Sequence, residues 1–243
     1  MNKKRLLRQG LPAALLVLSA AISICAQDRT GGKHNARPQQ AAGSTIANAE
    51  DKIEAVKYSY EFSQPKFVIK HIVLEHDATG RGTVTFERLN EDTPIVEPLM
   101  LSSEALARIT SAWQALQFLD SNSDYQANKQ FPHLGTMRIG MQRGDRKRVA
   151  EFNWTNNSEA STLINEYRKA ADQAILIFDI SLARENQPLN APKLMEAMES
   201  MLKRDMLSDP RQLLKLLQDI STDEHVPLIA RNHALRLIKK IQK

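Results

Sequence analysis

Residues 67–88, with the sequence FVIKHIVLEHDATGRGTVTFER, determine the fold of this chain. Phe67 to Glu75 carries apolar and β-branched side chains at both odd and even positions, as a buried strand does. Residues 77–82 then contain two glycines, which favour a turn because glycine readily adopts positive φ. Thr83 to Arg88 alternates between polar and apolar side chains. The stretch therefore predicts an antiparallel β-hairpin.

Further strands are predicted on both sides of this hairpin. Residues 95–101 indicate an edge strand, because Pro98 cannot donate a ladder hydrogen bond. Residues 136–142 and 147–154 predict a second hairpin around a tight Gly-Asp turn. Upstream, residues 52–62 are expected to form a short strand or helix.

Two helices are predicted to pack on this sheet. The first covers residues 102–119, begins at Ser102 or Ser103 and places leucine, isoleucine and tryptophan at helical spacing. The second covers residues 156–182 and opens with an Asn-x-x-Glu pattern that resembles a capping box.

The C-terminal part has a purely helical pattern. Helices are predicted over residues 192–204, 210–220 and 227–242, each with a proline at or near its first position. We therefore expect an α+β fold in which a small antiparallel sheet is packed by two helices. This domain, at residues 51–184, is followed by a three-helix C-terminal subdomain at residues 185–243.

The N-terminus has the pattern of a signal peptide. Four basic residues within the first eight precede an apolar run of about 15 residues, which is shorter than a spanning helix. We predict a signal peptide at residues 1–26, cleavage after Ala26, a flexible linker at residues 27–50 and a periplasmic or secreted product. Acylation at Cys25 and an uncleaved anchor are the alternatives.

Charge and cysteine content exclude several classes of function. Four of the 33 basic residues and none of the 28 acidic residues lie in the first 26, so the remaining chain has a net charge of only +1. This balance argues against nucleic-acid binding, which needs clustered positive charge. Cys25 is the only cysteine. Cleavage after Ala26 would remove it and with it disulfides, thiolate catalysis and thiolate metal ligands.

His71, Glu75, His76 and Asp77 form the densest group of metal-ligating residue types. In an extended strand His71 and Glu75 share a face, and His133 would supply a third ligand if the second hairpin lay alongside. A metal-dependent hydrolase using His71, Glu75 and His133 is therefore the alternative to a binding protein. We expect His71 to be half-buried and His76 to lie in a solvated turn, and we assign no catalytic, cofactor or metal residue.

Two further patterns bear on binding. The basic run at Arg143 and residues 146–148 is expected to be a solvated hairpin tip. Met195, Met198 and Met201 recur at helical spacing, and flexible thioethers suit both cores and adaptable interfaces. We expect this stripe to be core, yet it is also the best candidate interaction face.

The predicted function is a non-catalytic binding or protein-interaction module, with a protein partner at the C-terminal helices.

The order hairpin, strand, helix, hairpin, helix carries a resemblance to known proteins. Together with the segment at residues 82–87, Phe118-Leu119 and Asp124-Tyr125, it resembles an uncharacterised family of exported bacterial α+β domains. The resemblance covers residues 67–180 and implies a setting in the bacterial envelope. The last two helices resemble one HEAT-type repeat unit.

Overall fold

The structure, a computed structural model, describes residues 55–243. The predicted signal peptide at residues 1–26, its cleavage after Ala26, the alternatives involving Cys25 and the linker at residues 27–50 lie outside the described residues. In the described part, no helix has both the length and the apolar composition needed to cross a membrane.

The α+β fold class is confirmed. Six strands form one antiparallel sheet in the spatial order β4-β3-β2-β1-β5-β6. The strands are β1 (Val56–Ser63), β2 (Ile69–Asp77), β3 (Arg81–Arg88), β4 (Ile95–Met100), β5 (Thr136–Arg143) and β6 (Arg146–Phe152). The helices are α1 (Ser103–Ala115), α2 (Ser158–Asn186), α3 (Ala191–Lys203), α4 (Leu214–Thr222) and α5 (Leu228–Ile241).

Strand β1 lies at the centre of the sheet, between β2 and β5. Its sequence, VKYSYEFS, alternates polar residues with Tyr58, Tyr60 and Phe62, whose side chains are buried. The sequence analysis predicted either a short strand or a short helix for this segment. The structure resolves it as the strand that joins the two predicted hairpins into one sheet.

One face of the sheet carries the core, and the opposite face is polar. The core-facing residues of the strands include Leu74, Val84, Phe86 and Ile139, and they pack against α1 and α2. The alternation of side chains along each strand makes this separation possible. Gly82 serves close packing in the sheet, because a Cβ at this position would overlap the Glu75 carbonyl oxygen. Only Gly80, of the two turn glycines, has positive φ, at +80°.

The helix starts follow the capping chemistry of the sequence. The Ser102 hydroxyl accepts a hydrogen bond from the Ala105 amide at 3.2 Å and begins α1. Helix α2 is capped by Asn157, which accepts from the Ala160 amide at 2.7 Å, one residue later than the predicted start. Helix α1 ends at Ala115 rather than at 119, and Gln117 then adopts a φ of +44°.

The C-terminal helices form a second hydrophobic core with the end of α2. Leu176 and Ile180 of α2 pack with Met195 and Met198 of α3 and with apolar residues of α4 and α5. Met195 and Met198 are fully buried. Met195 and Met198 are therefore core, as expected, because helices of the same chain cover them, and Met201 is partly buried against the same core.

Candidate functional site

An open groove of about 970 Å³ lies between α2 and the turn that joins β1 to β2. We call it the α2 groove. Its apolar floor consists of Tyr60, Phe62, Ile69 and Ile72 from the sheet and Ala171 from α2. These strand residues face the core side of the sheet, and the groove lies where the helices leave that side uncovered.

The walls of the α2 groove add exposed apolar and polar side chains. Phe67 and Val68 of the β1–β2 turn stand on one side, and both are exposed. The polar face of α2 supplies the other side, and the loop after α3 closes one end. The wall residues are Lys66, Phe67, Val68, Thr162, Asn165, Glu166, Arg168, Lys169, Asp172, Asp205 and Met206.

Some charges at the α2 groove neutralise one another. Glu166, which is buried, accepts from the Arg108 guanidinium at 2.8 Å, and Arg108 also donates to the Ser208 carbonyl at 2.7 Å. Lys169 donates to Asp205 at 2.6 Å. These contacts tie α1, α2 and the loop after α3 together. They hold the groove in shape.

Three other charged side chains lack such partners. Among the described residues, Lys66, Arg168 and Asp172 form no ion pair within 4.0 Å, although the Arg168 guanidinium interacts with the Tyr60 hydroxyl and with the Asp172 charge. The Arg168 guanidinium lies 5.7 Å from the centre of the Phe62 ring, in a cation–π contact. The α2 groove thus combines an apolar floor with polar groups that are free to contact a ligand.

Burial at the α2 groove changes the protonation of two groups. It raises the pKa of Tyr60 to about 12, although the nearby Arg168 charge acts in the opposite direction. Burial also raises the pKa of Asp172, and Arg168 again opposes the shift. The Tyr60 hydroxyl is therefore protonated at neutral pH. Side chains with shifted pKa values in a concave site are typical of functional sites.

A second cluster of polar and aromatic side chains lies on the neighbouring side of α2 and is buried. The Trp113 indole donates to the Tyr167 hydroxyl at 2.8 Å, and that hydroxyl lies 2.9 Å from Nε2 of His76. His76 Nδ1 lies 2.7 Å from the Asp77 carbonyl oxygen. We call Tyr58, His76, Trp113 and Tyr167 the His76 cluster; the Tyr58 ring stacks on His76 at 4.9 Å.

The geometry of the His76 cluster determines its tautomer. Because a carbonyl only accepts, His76 Nδ1 carries the proton and Nε2 accepts from the Tyr167 hydroxyl. Burial accordingly lowers the pKa of His76 and raises that of Tyr167. The expectation of a solvated turn for His76 is wrong, since its side chain points to the core. Every polar atom named here has a partner, so the cluster is structural.

The metal ligands of the alternative hypothesis, His71, Glu75 and His133, are not brought together as a metal site in the described residues. His71 is half-buried, as predicted, but its Nε2 and Nδ1 lie 3.1 Å from carboxylate oxygens of Glu61 and Glu87. The hydrogen bond from His71 lowers the pKa of Glu87. In residues 55–243 no group of three or more His, Cys, Asp and Glu side chains is placed to hold a metal ion.

The basic hairpin between β5 and β6 has a structural role in addition to its exposed charge. Arg146 donates to the Leu119 carbonyl at 2.8 Å, and Arg148 donates to the carbonyls of Phe118 and Ser123. The two arginines attach the loop after α1 to the edge of β6. The expectation of a solvated turn is thus incomplete for Arg146 and Arg148, because tertiary contacts use their donors.

Sequence reasoning missed the residues of the α2 groove. Arg168 and Asp172 are one helical turn apart on α2 and lie beside its apolar stripe. This i, i+4 spacing was the available signal, but it is also typical of a solvated helix face.

Comparison with known proteins adds no relative, since no protein-family model and no curated protein matches this chain.

Proposed function

We propose that this protein is a non-catalytic binding module of the bacterial envelope and that the α2 groove is its ligand-binding site. The observation that carries the proposal is an apolar floor bordered by charged side chains, of which Lys66, Arg168 and Asp172 form no ion pair within 4.0 Å. Small-molecule sites have volumes of roughly 300–1,000 Å³ and are mostly apolar with a few polar groups. The groove, at about 970 Å³, lies at the upper end of that range.

The chemistry of the α2 groove supports binding rather than catalysis. Covalent catalysis uses a nucleophile in hydrogen-bond contact with a general base. Thr162 carries the one aliphatic hydroxyl among the described groove residues, and it donates to the Ser158 carbonyl at 2.9 Å. Tyr60, whose pKa is about 12, remains a neutral hydrogen-bonding group. The setting in the envelope is supported by the leader pattern of residues 1–26.

The test is a titration with N-phenyl-1-naphthylamine, a neutral dye that fluoresces in apolar surroundings. We expect saturable binding of one dye molecule per chain. Phe67→Ser removes one apolar wall of the α2 groove and should weaken binding about tenfold, which is about 1.4 kcal/mol. Binding that does not saturate, or that Phe67→Ser leaves unchanged, would contradict the proposal.

The matched control for this test is Trp154→Ser. Both side chains are aromatic and 43% exposed, but Trp154 packs on Phe131, outside the groove. We expect Trp154→Ser to leave the dissociation constant of the dye unchanged. Equal losses for the two variants would mean that the dye binds exposed aromatic surface in general.

A protein partner at the C-terminal helices is a second candidate function. The observation in its favour is the exposed apolar surface of Leu228 and Ile229 at the start of α5. The test is native mass spectrometry of the protein isolated from its host envelope, with wild type and the double variant Leu228→Ser/Ile229→Ser. A complex that the variant loses supports this function, whereas a bare chain or an unchanged complex contradicts it.

A further inference from the structure

The charges without partners at the α2 groove are mostly positive. Lys66 stands on the β1–β2 turn and Arg168 on α2, so the groove has a cation on each of its two long sides. The remaining cation, Lys169, is neutralised by Asp205 at 2.6 Å, and Glu166 is neutralised by Arg108 at 2.8 Å. Asp172 is the one remaining acid at the groove, so the two cations outnumber it.

Arg168 is held in a position suited to an anionic group. Its guanidinium packs over the Phe62 ring at 5.7 Å and contacts the floor of the groove. A guanidinium presents a planar set of donors that matches both oxygens of a carboxylate. Next to it, Phe62, Ile69 and Ile72 provide a continuous apolar surface. A ligand that satisfies both regions is apolar over most of its length and carries one negative group.

We propose that the α2 groove binds a single-chain fatty acid, with the carboxylate between Lys66 and Arg168 and the hydrocarbon chain along Phe62, Ile69 and Ile72. This proposal rests on the proposed function and adds the chemical class of the ligand. Its basis is charge complementarity, because the groove offers two cations without carboxylate partners among the described residues. A cationic amphiphile of the same chain length would place its charge against Arg168.

The test is displacement of bound N-phenyl-1-naphthylamine from the full-length protein by amphiphiles kept below their micellar concentrations. Dodecanoate should displace the dye at a concentration at least about tenfold lower than dodecyltrimethylammonium does. Arg168→Gln and Lys66→Gln should each weaken displacement by dodecanoate about fivefold to tenfold, and each should strengthen displacement by the cationic amphiphile because a repelling charge is removed. Arg236→Gln, an exposed arginine on α5 outside the groove, is the matched control and should change neither.

The outcomes separate this proposal from the proposed function. If the dye binds but both amphiphiles displace it equally, the fatty-acid proposal is wrong and the binding function stands. If an apolar peptide with a free carboxyl terminus displaces the dye at a lower concentration than dodecanoate, the hydrocarbon chain is the wrong occupant. If the dye does not bind at all, both proposals fail. Circular dichroism establishes that Arg168→Gln and Lys66→Gln are folded.

Discussion

Tyr167 and Arg168 are neighbours on α2, yet they belong to regions with opposite properties. Tyr167 lies in the His76 cluster, where the Trp113 indole, the Tyr167 hydroxyl and both His76 ring nitrogens have hydrogen-bond partners and the side chains are buried. Arg168 lies in the α2 groove, where Asp172 and Lys66 also lack partners among the described residues. One residue step on a helix thus separates a completed polar network from an uncompleted one.

The difference shows where physical constraints allow a ligand to bind. A buried polar group without a partner costs about 1–3 kcal/mol, so polar groups in the interior are strongly favoured to find hydrogen-bond partners. At an open groove, water forms hydrogen bonds with polar groups that have no protein partner, and a ligand can replace that water. We therefore expect the His76 cluster to stabilise the fold, whereas the α2 groove keeps polar side chains in contact with solvent.

The largest expected effect is that of Tyr167→Phe. This variant leaves the Trp113 indole N–H and His76 Nε2 without partners in the core. At about 1–3 kcal/mol for each of these two groups, we expect the free energy of unfolding to fall by about 2–6 kcal/mol. Urea denaturation monitored by circular dichroism measures this change.

Tyr125→Phe is the matched control for Tyr167→Phe. The Tyr125 hydroxyl is buried but has no hydrogen-bond partner in the described structure, so its removal leaves no other group unpaired. We expect Tyr125→Phe to be neutral or stabilising. If both variants lose the same stability, the hydrogen bonds of the His76 cluster contribute nothing specific, and the contrast between the two regions is lost.

The second prediction concerns acid pH. Burial lowers the pKa of His76, so the unfolded chain binds a proton more readily than the folded chain below pH about 6.5. The free energy of unfolding should therefore decrease as the pH falls from about 6.5 towards the folded-state pKa. Each unit of pKa depression is worth about 1.4 kcal/mol.

Urea denaturation at a series of pH values, with wild type and His76→Gln, checks this prediction. Gln does not titrate, so the variant should have a flatter pH dependence than the wild type between about pH 7 and pH 5. The comparison separates the contribution of His76 to the pH dependence of stability from the contributions of the other histidines. Parallel curves for the two proteins would show that His76 is not held neutral by the core.

The smallest expected effect is that of Asp172→Asn. The pKa of Asp172 is raised in the fold, so ionisation of this group lowers stability as the pH rises through about 3.8 and then through the folded-state value. Asp172→Asn removes this pH-dependent decrease in stability, because the asparagine side chain does not ionise. At neutral pH we expect the free energy of unfolding to be unchanged within about 0.5 kcal/mol or slightly higher.

The contrasting variant is Asp179→Asn, two turns further along α2. Asp179 forms an ion pair with Arg88, which also packs on Phe86 and Phe178. Loss of a hydrogen bond to a charged group costs about 1.5–3 kcal/mol, so this variant should be destabilised in urea denaturation. If Asp172→Asn is destabilised as strongly, Asp172 has a partner that the described geometry does not contain.

Much of the fold followed from local patterns in the sequence. The turn residues of the two hairpins, Pro98 in the edge strand and the cap at Ser102 are local signals, and the structure contains the elements that they predict. The alternation of Tyr58, Tyr60 and Phe62 in β1 was equally local, but its central position depends on pairing with two distant strands.

The α2 groove was beyond the reach of sequence patterns. It brings together Lys66, Arg168 and Met206, which are far apart in the chain. Their common location depends on how α2 crosses the sheet. His76 shows the same limit, since a polar residue at a strand end gives no sign that Tyr167, 91 positions later, will cover it. The methionine stripe was similarly ambiguous until its covering helices were placed.

Helix α2 is 29 residues long, which corresponds to about 43 Å. Its first half lines the groove and its second half contributes Leu176 and Ile180 to the C-terminal core. A continuous helix transmits loss of packing at one end to the other. We therefore expect residues 55–243 to unfold as one cooperative unit, and we expect damage to the C-terminal helices to loosen the packing around the α2 groove.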